Sequence, residues 1–368
     1  MVSETVRGRF SWTVVVPLAA FAALVVTWGR KPGDLWLALV AVVLIGSVLA
    51  AVHHAEVVAH RVGEPFGSLV LAVAVTVIEV ALIVTLMVSG GGDTAGLARD
   101  TVFAAVMITV NGIVGLSLVV GGLRSHLPPF NPEGTGSALA TVIALATLTL
   151  VLPRFTTSAS GPEFTSGQLT FAALASLALY VMFVLTQTVR HRDFFLPIEE
   201  GGTAADEDED GHADPPTARE ALTSLVLLLV SLVSVVGLAK LESPAIERAV
   251  AGLGFPQAVV GVVIALLVLL PESIAAVRAA IRRRLQISFN LAYGSAMASI
   301  GLTIPTLAVA SIWLDGPLEL GLDETDMVLL FTSVVVSVLT VVPGRAKALM
   351  GGIHLVILAA FVFITIAP

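Results

Sequence analysis

The chain is a succession of apolar stretches separated by short polar ones. They fall near residues 12–28, 34–52, 66–89, 101–123, 136–153, 168–190, 219–240, 256–278, 288–313, 325–342 and 346–366. A helix needs roughly 20 apolar residues to cross the hydrocarbon core of a bilayer, so each stretch predicts a transmembrane helix. The fold class that follows is an all-α polytopic membrane protein with about eleven spans. Two stretches carry an acid well inside them: Glu79 in 66–89, and Glu272, directly after Pro271, in 256–278. A carboxylate at membrane depth costs about 2.5–3.5 kcal/mol on insertion scales. Pro271 has no N–H, so it also leaves a helix carbonyl without its usual donor. Two such acids, one in each half of the chain, predict an ion site. The structural alternative is that each is paired with a distant arginine or capped by hydroxyls.

Composition supports the membrane reading. Of 368 residues, 57% are hydrophobic and 12% charged, with a mean hydropathy of +0.98. Soluble domains are about 45–50% apolar and about 25% charged. There is no cysteine, which excludes disulfides and thiol chemistry. The run after Arg7 and Arg9 lacks a small-residue cleavage site, so it reads as a retained first helix.

The stretch from Glu199 to Pro216 is acidic, Gly/Pro-bearing and without apolar periodicity. It predicts a solvated linker, and it accounts for most of the net charge of -8. It separates spans 2–6 from spans 7–11. Five is an odd number, so a second copy of a five-helix unit would insert upside down. Glu79 and Glu272 each lie on the second helix of their set, the arrangement of an inverted-repeat transporter with a midplane site. The expected organisation is 1–33 as an N-terminal helix outside the repeat, 34–190 as the first five-helix repeat, 191–218 as an acidic cytoplasmic linker, and 219–368 as the second, inverted repeat. With the N-terminus cytoplasmic, thirteen Lys and Arg fall inside and six outside, the bias expected of cytoplasmic loops. The C-terminus is then external, and the expected location is the cell (inner) membrane.

Two glutamates brought together in low dielectric cannot both stay ionised without a cation. The pair is satisfied either protonated or loaded with metal. A divalent ion and two protons carry equal charge, so they compete, and alternating exposure of one site couples their fluxes. Calcium takes about 6–8 oxygens, of which two carboxylates supply up to four. Candidates for the remainder are carbonyls near Pro271, Thr76 one turn before Glu79, Asn111 in span 4, and Ser295 and Ser299 in span 9. The three hydroxyl residues have a plainer reading, since membrane hydroxyls often only bond their own helix. No span carries a His/Cys cluster at zinc spacing, which disfavours a transition-metal site.

The first half carries Glu56-x-x-Ala59-x-Arg61-x-Gly63, then Pro65-Phe66-Gly67 and Glu79. The second carries Glu272, Ala276, Val277, Ala280, Arg282, Arg284 and Leu285, then Gly294-Ser295. On these residues the chain resembles the cation/proton exchanger family of the calcium/cation antiporter superfamily, most closely the ChaA-type calcium/proton and sodium/proton antiporters. The resemblance spans nearly the whole chain. It implies that Glu79 and Glu272 are the principal ligands for both calcium and protons. The wider family places Gly-Asn shortly before each glutamate, where this chain has Val75-Thr76 and Val268-Leu269. A family glutamine after Gly-Ser is Ala298 here. A site with fewer amides resembles the ChaA-like branch, which is associated with sodium and potassium as well as calcium.

His53, His54, Glu56 and His60 cluster at the end of span 2, with Glu56 and His60 on one face at i, i+4. Glu56 and His60 are candidates for a cytoplasmic access point or pH sensor. The plainer reading is a polar, interfacial helix end. His126 and His354 receive no role. Arg282-Arg283-Arg284 reads as a positive-inside anchor, and Gly90-Gly91-Gly92 as a turn.

The function these features predict is secondary exchange of cytoplasmic calcium, with sodium and potassium as further candidates, for external protons. A channel using the same acids is the alternative, although filters usually need rings of ligands. A membrane enzyme would need a nucleophile with its base, or a metal triad, and the sequence has neither. No cofactor is expected. The expected partners are membrane lipids and the transported ions, with no nucleic acid; a homo-oligomer is compatible with the sequence.

Overall fold

The structure, a computed structural model, describes residues 11–30, 32–63, 66–89, 95–124, 127–197, 216–313 and 317–368. Most of the acidic linker, the glycine turn at 90–92, Pro65, His126 and the basic residues Arg7, Arg9 and Lys31 lie outside the described residues. Helices joined by short irregular segments make up the described residues, with two isolated bridges, Pro129 with Arg345 and Glu163 with Glu319.

Eleven helical segments follow in order. They are α1 (Trp12–Thr27), α2 (Asp34–Val62), α3 (Phe66–Ser89), α4 (Leu97–Arg124), α5 (Pro132–Phe155), α6 (Ser166–Arg190), α7 (Ala218–Gly252), α8 (Ala258–Ile281), α9 (Leu285–Ala310), α10 (Glu324–Val341) and α11 (Ala348–Ile366). Among the described residues, the ten from α2 onward are long and apolar enough to cross a membrane; α1, at 16 residues, is shorter. Every apolar stretch of the sequence is therefore a helix.

Two helices outrun their hydropathy. α2 continues to Val62 and α7 to Gly252, well past the expected ends at 52 and 240. His53 and Glu242 interrupt an apolar count but do not interrupt helical hydrogen bonding. The stops come where left-handed backbone is needed, at Gly63 (φ +76) and Gly254 (φ +72). Starts are set by side chains. Thr217 with Glu220 and Thr165 with Gln168 form capping boxes on α7 and α6, and Asn131 caps α5 with Pro132 in its first turn.

Chain contacts divide the molecule into two compact units: Met1–Thr94 with Ala213–Gly254, and Ala95–His212 with Phe255–Pro368. Each draws helices from both sides of the acidic stretch. The first unit holds α1, α2, α3 and α7. Here α2 and α7 run antiparallel: the end of α2 (His53, Glu56, His60) shares a cavity with the start of α7 (Arg219, Glu220, Thr223), while Leu37 and Ala38 meet Ala245 and Ile246 at the other end. α1 packs on both helices and is tied down where His54 Nε2 bonds the Thr13 carbonyl at 2.8 Å.

The second unit is built around α4, the most buried span. Its neighbours approach through small residues, as membrane helices do where lipid offers no competing hydrophobic drive. A Cβ added to Gly351 of α11 would meet the Gly115 carbonyl oxygen at 2.6 Å and the Val119 nitrogen at 2.7 Å. A Cβ on Gly261 of α8 would sit 2.9 Å from the backbone of Asp100 and Thr101. Ser117 of α4 and Ser288 of α9 share a 2.6 Å hydrogen bond.

Candidate functional site

In the first unit, Glu79 lies near the middle of α3 and is 2% exposed. Ile78, Val80, Leu82 and Ile83 beside it in sequence are buried and apolar. Thr76, one turn earlier, is also buried, and its hydroxyl has no hydrogen-bond partner among the described residues. A membrane hydroxyl normally back-bonds its own helix, as Thr101 and Thr109 do here at 2.8 Å. Thr76 leaves that option unused.

Glu56 and His60 are exposed and line a cavity of about 790 Å³ at the α2–α7 end, together with His53, His54, Arg219, Glu220 and Thr223. His54 is distinct: it is buried and holds the Thr13 carbonyl, a structural role. His53 packs against the Trp12 ring at 6.2 Å. The cluster therefore splits. His53 and His54 bind α1 to α2, and Glu56 and His60 face open space.

In the second unit, Glu272 is half-buried on α8. The helix continues through Pro271, which cannot donate to the Leu267 carbonyl. Ser273 donates to the Leu269 carbonyl at 2.7 Å. Ser299 is buried on α9, with half-buried Ser295 one turn before it. Just beyond, α9 breaks at Leu302 between segments Leu285–Gly301 and Thr303–Ala310.

Asn111 sits in a π-helical turn, Ile108–Ile113, inside α4 and is fully buried. Such turns put an extra residue into a helix and are frequent at functional sites. This one packs against both α8 and α9. Its amide nitrogen donates to Ser333 Oγ of α10 at 2.8 Å, and its oxygen lies 2.9 Å from His354 Nδ1 of α11. Thr340 Oγ1 of α10 lies 3.2 Å from His354 Nε2. The sequence reading assigned His354 no role and did not single out Ser333 or Thr340. A signal for His354 was available: it is the one ionisable residue of α11, and an intramembrane ionisable residue points to function by default.

Arg99 and Asp100, at the start of α4, form an ion pair at 2.8 Å, with Glu319 3.8 Å from the same guanidinium. Among the described residues, no group of three or more His, Cys, Asp or Glu could hold a metal ion. Carboxylates on these helices would therefore need carbonyl, hydroxyl or amide oxygens to complete a calcium shell. The donors expected from the sequence are divided between the units: Glu79 and Thr76 in one, Glu272, Asn111, Ser295 and Ser299 in the other.

Comparison with known proteins gives a consistent result. The family described as sodium/calcium exchanger protein matches residues 34–189 and 223–367. The y4hA protein of Sinorhizobium fredii is 44% identical over 97% of this chain and 96% of its own. The sodium-potassium/proton antiporter ChaA of Escherichia coli is 32% identical over 97% of each. The Ca²⁺/H⁺ antiporter of Aphanothece halophytica is 23% identical over 85% of this chain and 86% of its own. Among solved structures, native YfkE superposes with a TM-score of 0.72 at 16% identity, covering 97% of this chain and all of that one. The H⁺/Ca²⁺ exchanger CAX gives 0.65 at 13% identity, over 96% and 91%. At these identities the likeness is one of fold.

Proposed function

We propose, starting from the fact that this chain belongs to the sodium/calcium exchanger protein family, that it is a secondary cation/proton antiporter working by alternating access. Cytoplasmic calcium, sodium or potassium leaves in exchange for external protons. The observation that carries the reading is Glu79: a carboxyl 2% exposed in the middle of a membrane-length apolar helix. Burial makes the charged form of an acid in that position costly, which a proton or a cation relieves, and that choice is the chemistry of exchange.

In this reading Glu79 and Glu272 come from two inverted five-helix repeats, 34–190 and 219–368, and share one midplane site. Thr76 brings a buried hydroxyl with no competing bond. Ser295, Ser299 and the carbonyl freed by Pro271 add oxygens from the second unit. Asn111 takes part through the hydrogen-bonded position of its amide. Glu56 and His60, in their cavity at the end of α2, form the cytoplasmic mouth, and the C-terminus is external. The names of ChaA and of the Aphanothece antiporter support sodium, potassium, calcium and protons as the candidate ions.

The test is ion-driven proton movement. In everted membrane vesicles carrying a pH gradient, addition of calcium, sodium or potassium dissipates the gradient with saturable kinetics. A gradient that collapses without dependence on the added cation identifies a leak and overturns the proposal.

A further inference from the structure

At the end of the α2–α7 pair opposite to Glu56 lies a second cavity, of about 450 Å³, whose one carboxylate among the described residues is Glu242. Leu37 and Ala38 of α2 form one wall; Ala245, Ile246 and Ala249 of α7 continue the face that carries Glu242. Glu242 is 4% exposed, and its Oε1 has no hydrogen-bond partner among the described residues. Arg248 lies at the rim and is exposed. Among the described residues no ion pair joins it to Glu242. On the same helix, Lys240 lies outside the cavity lining, and Glu247 accepts from the Ser243 hydroxyl at 3.3 Å.

A buried carboxylate lacking donors is costly in its charged form. It is relieved by a proton or by a bound cation. At ~1.5 Å per residue, the run of α7 from Glu220 to Glu242 covers about 33 Å, close to the ~30 Å thickness of the hydrocarbon core. The two cavities therefore stand about one membrane thickness apart on the same helix pair.

We infer that Glu242 is a second protonatable cation site, forming the mouth at the membrane face opposite to Glu56 and His60. It loads a cation, or gives one up for a proton, on the external side. The inference rests on the exchanger reading for the identity of the ions and goes beyond it in assigning a residue outside the Glu79–Glu272 site.

The test is covalent labelling of the full chain in lipid nanodiscs with dicyclohexylcarbodiimide, which modifies protonated carboxyls in apolar surroundings. Labelled peptides are resolved by mass spectrometry, with choline as the control for ionic strength. Glu242 is expected to be modified, and calcium, sodium or potassium to suppress that modification where choline does not. The Glu79 peptide of the same digest reports on the exchange site separately. Protection at Glu79 without protection at Glu242 overturns this inference and leaves the exchanger reading standing. Protection at Glu242 alone supports it and counts against the site assignment. A Glu242 that resists modification until Arg248→Gln is introduced is an ion-pair residue, and the inference is wrong. In right-side-out vesicles, Glu242→Gln is expected to raise the half-saturating external cation concentration about ten-fold, the equivalent of one modest ligand. An unchanged half-saturation overturns the assignment.

Discussion

His354 Nδ1 lies 2.9 Å from Asn111 Oδ1, joining the last helix to the π-turn of α4 across 243 residues of sequence. The direction of the bond follows from its neighbours. Ser333 donates its hydroxyl proton to the Leu329 carbonyl at 2.8 Å, so it accepts from the Asn111 amide nitrogen. Asn111 therefore turns its oxygen to His354, and His354 Nδ1 carries the proton. Thr340 closes the chain with one hydroxyl proton and two acceptors in reach, the Val336 carbonyl at 2.8 Å and His354 Nε2 at 3.2 Å.

This chain predicts the tautomer of His354. Nitrogen-15 spectra compared between wild type and His354→Gln are expected to show the Nδ1–H form. The Nε2–H form would mean that the Asn111 amide is turned the other way.

The same chain predicts stability. His354→Leu leaves the buried Asn111 oxygen without its donor, an omission that costs about 1–3 kcal/mol. Thermal unfolding in detergent is expected to fall accordingly. His354→Gln, which keeps an N–H within reach, is expected to recover part of the loss.

Packing of α11 on α4 predicts a steric effect with no polar component. A Cβ on Gly351 meets backbone atoms of Gly115 and Val119, which cannot rotate away as a side chain end can. Gly351→Val is expected to destabilise by about 1–3 kcal/mol, the usual cost of overpacking. Gly352→Ala, where nothing lies within 4 Å, serves as the neutral control.

For the exchange site, Glu79→Gln and Glu272→Gln are each expected to reduce cation-driven proton movement to background while expression and membrane insertion are kept. Wild-type rates in both variants would end the assignment. If protons and the cation compete for these carboxyls, lowering the pH weakens the cation. Below the pKa of the site, the half-saturating cation concentration rises about ten-fold per pH unit for each competing proton. A ten-fold slope indicates one proton, a hundred-fold slope two, and a flat profile no competition.

The acidic linker predicts tolerance. Deletion of Thr203 to Asp214 is expected to leave turnover unchanged, measured in the same vesicles. Loss of transport in a folded, inserted deletion variant would assign the loop a working role.

The sequence by itself determined which stretches are helices and singled out two acids, Glu79 and Glu272, inside apolar runs. Hydropathy is local: twenty apolar residues demand a helix whatever surrounds them, because unpaired backbone is too costly in hydrocarbon. Glu79 and Glu272 stood out for the same reason, each a charge inside an apolar run. The tertiary structure decided what no local window holds. Whether α7 stops near Lys240 or runs to Gly252 depends on helical bonding through Glu242, not on its hydropathy. Asn111 could be read as a polar residue in need of a partner, but which partner depends on the register of α4 against α10 and α11. His354 shows the limit most plainly. Alone in α11 it is one imidazole in an apolar segment; packing sets it between Asn111 and Thr340, and hydrogen bonds of ~3 Å depend on side chains that only packed helices bring together.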